Sequence, residues 1–251
     1  MSALFTGKNL LQFDRVTSTN NVLSEMLSKS KPLTEGSVIM AVEQTEGRGQ
    51  LGSYWESEAG KNICLSLLYR PEFLTIDKQF YLSMAISMGI CNFLEGELKC
   101  KVYVKWPNDI YIKQHKIAGI LIENSLQANH LKTSIIGIGL NVNQLTFSTK
   151  AANAVSMKQL SGIEYSINDL VWRLFDSLES WYLILKDGKI EQIKKEYVSK
   201  LMHYNIDAYY KIGGKEMKCK ISNIEEDGRL VLLCGDELMK CDTREIEFML
   251  K

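Results

Sequence analysis

The chain has 251 residues, enough for one large domain, or one of about 200 residues with a small appendage. Lys and Arg together number 30, as do Asp and Glu, so there is no global basic excess of the kind a nucleic-acid binder shows, and any anion site must be local. The start, "MSALFTGKNLLQFDRV", lacks the pattern of a secretory leader, and no apolar run reaches the roughly 18 residues of a membrane span, which points to a soluble, cytoplasmic protein.

In chain order, "STNNVLSEMLSKSKP" places Val22, Leu23, Met26 and Leu27 on one helical face, with Ser18 or Thr19 as N-cap and Pro32 as the stop. The bland reading of both hydroxyls is capping alone. "SVIMAVEQ" reads as a buried strand, and "NICLSLLY" alternates Ile63, Leu65 and Leu67 as a half-buried one. Between them, Gly47, Gly49 and Gly52 spell G-x-G-x-x-G. A dinucleotide fingerprint needs a helix opening at the third glycine, and Gly60 together with the following strand denies one. Two strands joined by a long glycine-rich loop describe a flap over a ligand instead.

"QFYLSMAISMGICNFL" predicts a mostly buried helix over 79–94, "KVYVKW" a strand, "PND" a turn, and "IYIKQHKIAGILIE" a hairpin turning around Lys113 to Lys116. "TSIIGIGLNVN" is a further buried strand. "SINDLVWRLFDSLESWYLILKDG" predicts a strong helix with Ser166 and Asp169 as a capping box, and a shorter helix follows. After His203, short alternating runs separated by Gly213-Gly214, Asp227-Gly228 and Gly235-Asp236 signal a small β-barrel. The expected division is therefore a domain over 1–202 and a module over 203–251.

The six cysteines contain no C-x-x-C pair and several lie in strand-like runs, which predicts free thiols in a reducing compartment, with no disulfide framework and no zinc. The three histidines share no ligand spacing. The nucleophile elbow, the zinc-protease motif, the EF-hand loop, Walker A and the kinase signatures all fail. What remains is polar groups at strand ends and loops: Ser18, Thr19, Asn20, Gln44, Arg48, Lys105, Asn108, Asp109, Lys116 and Asn141. Singly, each is more often structural than functional. Jointly they say more: Gly137 and Gly139 interrupt a strand where a ligand or another backbone comes close, Arg48 stands between two glycines, and Lys116 leads into an ordered strand.

"STN" before a helix, "GRG" in a loop with Trp55 nearby, "KWPNDI", "KIAGILIE" and "GIGLNVN" resemble, in order and rough spacing, the biotin protein ligases. The resemblance spans about Ser18 to Asn143, and the C-terminal module agrees with the SH3-like barrel of that family. It implies an α+β fold with a class II synthetase-like mixed sheet flanked by helices. It also implies a two-step reaction: biotin and ATP with magnesium give biotinyl-5'-AMP and pyrophosphate, and biotin then passes to a lysine of a biotin carboxyl carrier domain.

The implied biotin-site residues are Ser18, Thr19, Asn20, Gln44, Arg48, Gly49, Gln50, Lys116, Gly119 and Gly139. The implied ATP-site residues are Arg48, Trp55, Lys105, Asn108, Lys116 and Asn141, with Arg48 and Lys116 as the catalytic cations. No magnesium ligand set is legible; Asp109 is the one carboxylate named for it. The loop departs from the family's G-R-G-R by carrying Gln50, and no winged-helix domain precedes "FDRVTSTN", so specific DNA binding is not expected. A homodimer is compatible with the reading. The rival readings are a lipoate–protein ligase, whose glycine-rich arginine motif with a following histidine is absent, and a non-catalytic biotin-binding protein.

Overall fold

The structure, a computed structural model, describes residues 3–29 and 33–249. The first half alternates strands with two helices: β1 (Leu10–Val16), α1 (Thr19–Ser28), β2 (Val38–Gln44), β3 (Ile63–Tyr69), α2 (Phe80–Leu98), β4 (Tyr103–Lys105), β5 (Asp109–Ile112), β6 (His115–Gln127) and β7 (His130–Leu140). The helices α3 (Met157–Ser161), α4 (Ile167–Lys186) and α5 (Ile190–Ser199) follow. The chain then turns to strands: β8 (Ala208–Ile212), β9 (Lys215–Ile224), β10 (Leu230–Cys234), β11 (Glu237–Cys241) and β12 (Ile246–Phe248).

Seven strands form one mixed sheet in the order β1-β2-β3-β7-β6-β5-β4, parallel between β1 and β2 and antiparallel elsewhere. On one face α2 packs with α4 and α5. Here α2 is buried nearly all round over its first four turns, as its mostly apolar sequence requires. Ser177 Oγ donates to the Gly89 carbonyl at 2.7 Å, which joins α4 closely to α2. On the other face α1 covers a smaller cluster in which Leu23 meets Ile39, Leu68 and Ile135. Among the described residues, no helix is long and apolar enough to cross a membrane.

Several sequence expectations need correction. β3 is buried on both faces rather than half-buried. Its Cys64 and Ser66 alternate with the apolar residues because they meet buried or half-buried polar side chains, Ser57 for Cys64 and Thr19 and Asn20 for Ser66, rather than solvent. Pro32, the expected stop of α1, lies outside the described residues. Ser166 Oγ does accept from the Asp169 N–H, at 3.5 Å, but the box with both reciprocal bonds is built by Ser156 and Gln159 at the head of α3.

The strands after His203 form a five-stranded antiparallel sheet, β11-β10-β9-β8-β12, consistent with an SH3-like module, and the three Gly-containing turns fall between strands as expected. It is docked on the first sheet. The Trp106 indole N–H donates to the Gly228 carbonyl at 2.9 Å, and the segment leading into the module is fixed by backbone bonds of Val104 to Lys200 and Met202 at 2.8 Å each. Cys219 and Cys234 are joined by a disulfide, contrary to the expectation of free thiols throughout. They face each other across β9 and β10 with Cα atoms 4.3 Å apart, one step beyond the Leu233–Lys220 pair. That register includes a bulge after Val231, which residue spacing alone does not reveal. Cys64, Cys91, Cys100 and Cys241 are free.

Candidate active site

The register sets the floor of the site. Cys64 pairs with Gly139, Gly139 with Gly119 and Gly119 with Asp109, while Ser66 pairs with Gly137 and Gly137 with Leu121. Paired residues share a face of the sheet, so three glycines leave a shallow trough on the α1 side. Two side chains of this chain enter it. A Cβ on Gly137 would lie 2.5 Å from Asn20 Oδ1, and one on Gly139 would lie 2.6 Å from Trp55 Nε1. The close approach that glycine permits in β7 is therefore first of all to Asn20 and Trp55.

A cavity of about 130 Å³ opens over this trough. All ten residues expected around biotin line it: Ser18, Thr19 and Asn20 from the start of α1, Gln44 from the end of β2, Arg48, Gly49 and Gln50 from the flap, and Lys116, Gly119 and Gly139 from the central strands. Its wall is polar and cross-linked. Gln44 Oε1 accepts from the Thr19 N–H at 2.8 Å and faces the Thr19 hydroxyl at 3.2 Å; the buried Ser66 hydroxyl lies 2.7 Å from Thr19 Oγ1 and 2.5 Å from Asn20 Oδ1. Ser18 occupies the N-cap position of α1 in extended geometry, yet its side chain makes no capping bond. Capping alone therefore does not account for this hydroxyl, which is 3% exposed.

A second cavity, of about 290 Å³, lies beside the first and is lined by Asn141 together with Phe147, Ala151, Asn153 and Ala154. The two share a wall of Tyr54, Trp55, Asp109 and Lys116. Asn141 is 2% exposed; its Nδ2 donates to the Val155 carbonyl at 3.2 Å, and its Oδ1 has no partner. Trp55 Nε1 is likewise buried without a partner. Trp55, expected near nucleotide, lines both cavities. Asn108 lines the first cavity and is fixed by Nδ2 donating to the Ile120 carbonyl at 2.7 Å. Lys105 lines neither. Its ammonium lies 5.6 Å from the Tyr111 ring and 5.4 Å from the Phe248 ring, where burial pushes its pKa down.

Both candidate cations are already paired. Lys116 Nζ lies 2.6 Å from Asp109 Oδ1 and 5.6 Å from the Trp55 ring. Its backbone bonds to Asn153 and Val155, at 2.8 and 2.9 Å, hold the start of β6 against the loop that lines the second cavity. Arg48 Nη2 lies 2.6 Å from Glu123 Oε1. Glu123, Ser66 and Asn21 are the polar participants that sequence reasoning missed. Glu123 sits at the end of the quoted "KIAGILIE", where strand alternation through Gly119 and Leu121 puts it on the cavity side; that periodicity was the available signal. Among the described residues no cluster of three or more His, Cys, Asp or Glu side chains is arranged to hold a metal ion.

Residues 12–141 match the sequence model of the biotin/lipoate A/B protein ligase family. The bifunctional ligase/repressor BirA of Bacillus spizizenii is 27% identical over 244 residues, 96% of this chain and 74% of that protein. The biotin–[acetyl-CoA-carboxylase] ligase of Mycobacterium tuberculosis is 26% identical, covering 91% of this chain and 86% of that one. Among solved structures, the biotin protein ligase of Aquifex aeolicus in complex with biotin and ATP superposes with a TM-score of 0.81 at 23% identity, over 97% of this chain and 100% of that chain, which shows the fold to be shared. The chain belongs to the biotin/lipoate A/B protein ligase family, on its biotin protein ligase branch.

Proposed function

We propose that the protein activates biotin with ATP and transfers it to a lysine of a biotin carboxyl carrier domain, the ring system entering the smaller cavity and the nucleotide the larger. The observation that carries this reading is the shared wall. Lys116 lines both cavities, so one ammonium faces both the end of an acyl substrate in the first and the phosphates of a nucleotide in the second.

In the first step a carboxylate oxygen of biotin attacks the α-phosphorus of ATP, and the bond to the bridging oxygen breaks to release pyrophosphate. Two anions must approach each other as charge builds on phosphate oxygens, and a fixed cation stabilises that state more than the separated reactants. Lys116 is mounted for this on an ordered strand start. Magnesium would be brought by the triphosphate, where it would neutralise charge on the departing pyrophosphate and need only one or two carboxylates from the protein. Asp109, paired with Lys116 on the wall that both cavities share, would be the carboxylate to hold it. The unpartnered Asn141 Oδ1 is an acceptor suited to the amino group of adenine. In the second step the acceptor amine attacks the acyl carbon of the mixed anhydride, the acyl C–O bond breaks, AMP leaves, and the amine's proton passes to solvent. The flap of residues 47–54 keeps water from the activated acyl group until then.

Residues 203–251 serve as an appended module on a ligase domain of residues 1–202, in a cytoplasmic protein. Biotin rather than lipoate is the acyl substrate that the named relatives favour. The test is incubation with ATP, magnesium and either biotin or lipoate, followed by measurement of pyrophosphate and acyl-AMP and then of lysine modification on a carrier domain. Biotinyl-AMP formation followed by modification of a single carrier lysine supports the reading. Biotin binding without pyrophosphate release, or activation of lipoate alone, overturns it.

A further inference from the structure

We propose that Glu123 is a positioning residue that latches the flap shut through Arg48, so that the ion pair between them sets how often the site opens. The flap has little else to hold it. Leu51 and Tyr54 are 68% and 63% exposed. Between Gly47 and Tyr54 the described backbone bonds stay within the loop and its hinge: Gly49 to Ser53, Ser53 to Gln50, and Trp55 back to Gly47. The side-chain bonds from this stretch to other elements are those of Arg48. Its guanidinium donates to Asn21 Oδ1 on α1 at 2.7 Å and grips both oxygens of Glu123 on β6 at 2.6 and 3.3 Å.

Glu123 is anchored from behind. Its Oε2 accepts from Asn20 Nδ2 at 2.7 Å, and Asn20 Oδ1 lies 2.5 Å from the buried Ser66 hydroxyl on β3. The carboxylate thus connects the floor of the cavity to its cover. A bidentate guanidinium–carboxylate pair is directional, and it holds the loop at one angle. Arg48 lines only the smaller cavity and is held by Glu123 and Asn21, so its first task is closure, while Lys116, itself paired with Asp109, stands on the wall that both cavities share. An exposed pair of this kind contributes modestly, so the latch is weak enough to open in every catalytic cycle.

The proposal rests on the ligase reading only for its consequence, namely retention of biotinyl-AMP; the latch itself is measurable without any ligand. Hydrogen exchange of the full chain, free of ligand, is followed in peptides covering 47–54, with 118–122 and 136–140 as the folding control. Glu123→Gln and Arg48→Ala should each accelerate exchange in 47–54 about three- to fivefold and leave the control segments unchanged, and the double variant should be no faster than Arg48→Ala alone. The off-rate of bound biotinyl-AMP should rise by a similar factor in Glu123→Gln.

Flap exchange in the parent protein should also quicken with salt, a dependence that Glu123→Gln loses. This second measurement stands if a variant fails to fold. Unchanged flap exchange in the single variants, additive effects in the double variant, or flap exchange insensitive to salt in the parent protein would each overturn the latch. If the parent protein forms no biotinyl-AMP at all, the ligase reading fails, and the exchange data still judge the latch.

Discussion

Trp55 lies directly over the α-carbon of Gly139, with its indole in the volume that any side chain at that position of β7 would need. The same ring forms part of the wall between the two cavities. Gly139→Ala should therefore push the indole away from the trough rather than merely narrow it. Overpacking of this kind costs about 1–3 kcal/mol. Both a lower melting temperature and a shifted tryptophan emission are expected, together with at least tenfold weaker biotin binding by calorimetry. A variant with unchanged emission and unchanged affinity would mean that the ring yields without consequence.

Lys116→Ala should impair formation of the adenylate far more than binding of biotin. Losing one donor that acts on developing charge costs about 3–4 kcal/mol, roughly a hundredfold or more in rate. Pyrophosphate exchange reports the first quantity and calorimetry the second. A rate within about threefold of the parent would reduce the lysine to a partner of Asp109.

How much of this was legible in the sequence can be judged element by element. From α1 onward, and α3 apart, the order of strands and helices followed from periodicity and glycine turns, and the floor of the site from Gly137 and Gly139 breaking an otherwise continuous strand; β1 was not read. The ten residues expected around biotin converge on one cavity, because "STN", "GRG" and "KIAGILIE" stand at the ends of elements that the sheet brings side by side. Whatever depended on register was hidden. Ser66 looked like the solvent side of an alternating strand, and its true neighbours, Thr19 and Asn20, come from a helix 47 and 46 positions earlier. Glu123 became the partner of Arg48 only through pairing of β6 with β7, across a sequence separation of 75. The Cys219–Cys234 disulfide depends on a bulged β9–β10 ladder for the same reason.

Glu179 supplies a pH-dependent contribution far from the site. Its buried carboxylate accepts from the backbone N–H groups of Leu4, Phe5 and Thr6, holding the N-terminal segment on α4. Burial alone raises its pKa; the three backbone donors outweigh that and leave it below the usual glutamate value. A folded pKa lower than the unfolded one means stability present in full above the unfolded value and lost as pH falls through the folded one. Glu179→Gln should cost about 2 kcal/mol at neutral pH, by leaving backbone donors under-satisfied. It should also flatten the acid limb of a stability–pH curve below about pH 4.3. Parallel acid limbs in parent and variant would assign the acid sensitivity to other carboxylates.

Gln50→Arg should slow the release of biotinyl-AMP. Gln50 begins a short 3-10 turn in the flap and lines the smaller cavity, and its carbonyl is fixed by the Ser53 hydroxyl at 2.8 Å and the Ser53 N–H at 3.0 Å. The next residue, Leu51, has φ of 53° and is exposed, so position 50 addresses the cavity just before the flap turns outward, and Ser53 to Trp55 then return to its wall. Arg48 is committed to Glu123, and the adenylate keeps a negative phosphate beneath this cover. A second cation at position 50 adds a charge-assisted bond at a half-exposed site, about 1 kcal/mol, or several-fold in off-rate. Stopped-flow release of biotinyl-AMP from both forms at two salt concentrations separates this from a purely steric effect. An off-rate difference that shrinks as salt screens the added charge is the expected result. Equal off-rates at low salt would mean that Gln50 already serves the same oxygens as a neutral donor, or that the backbone amides of the turn bind the phosphate whatever side chain they carry.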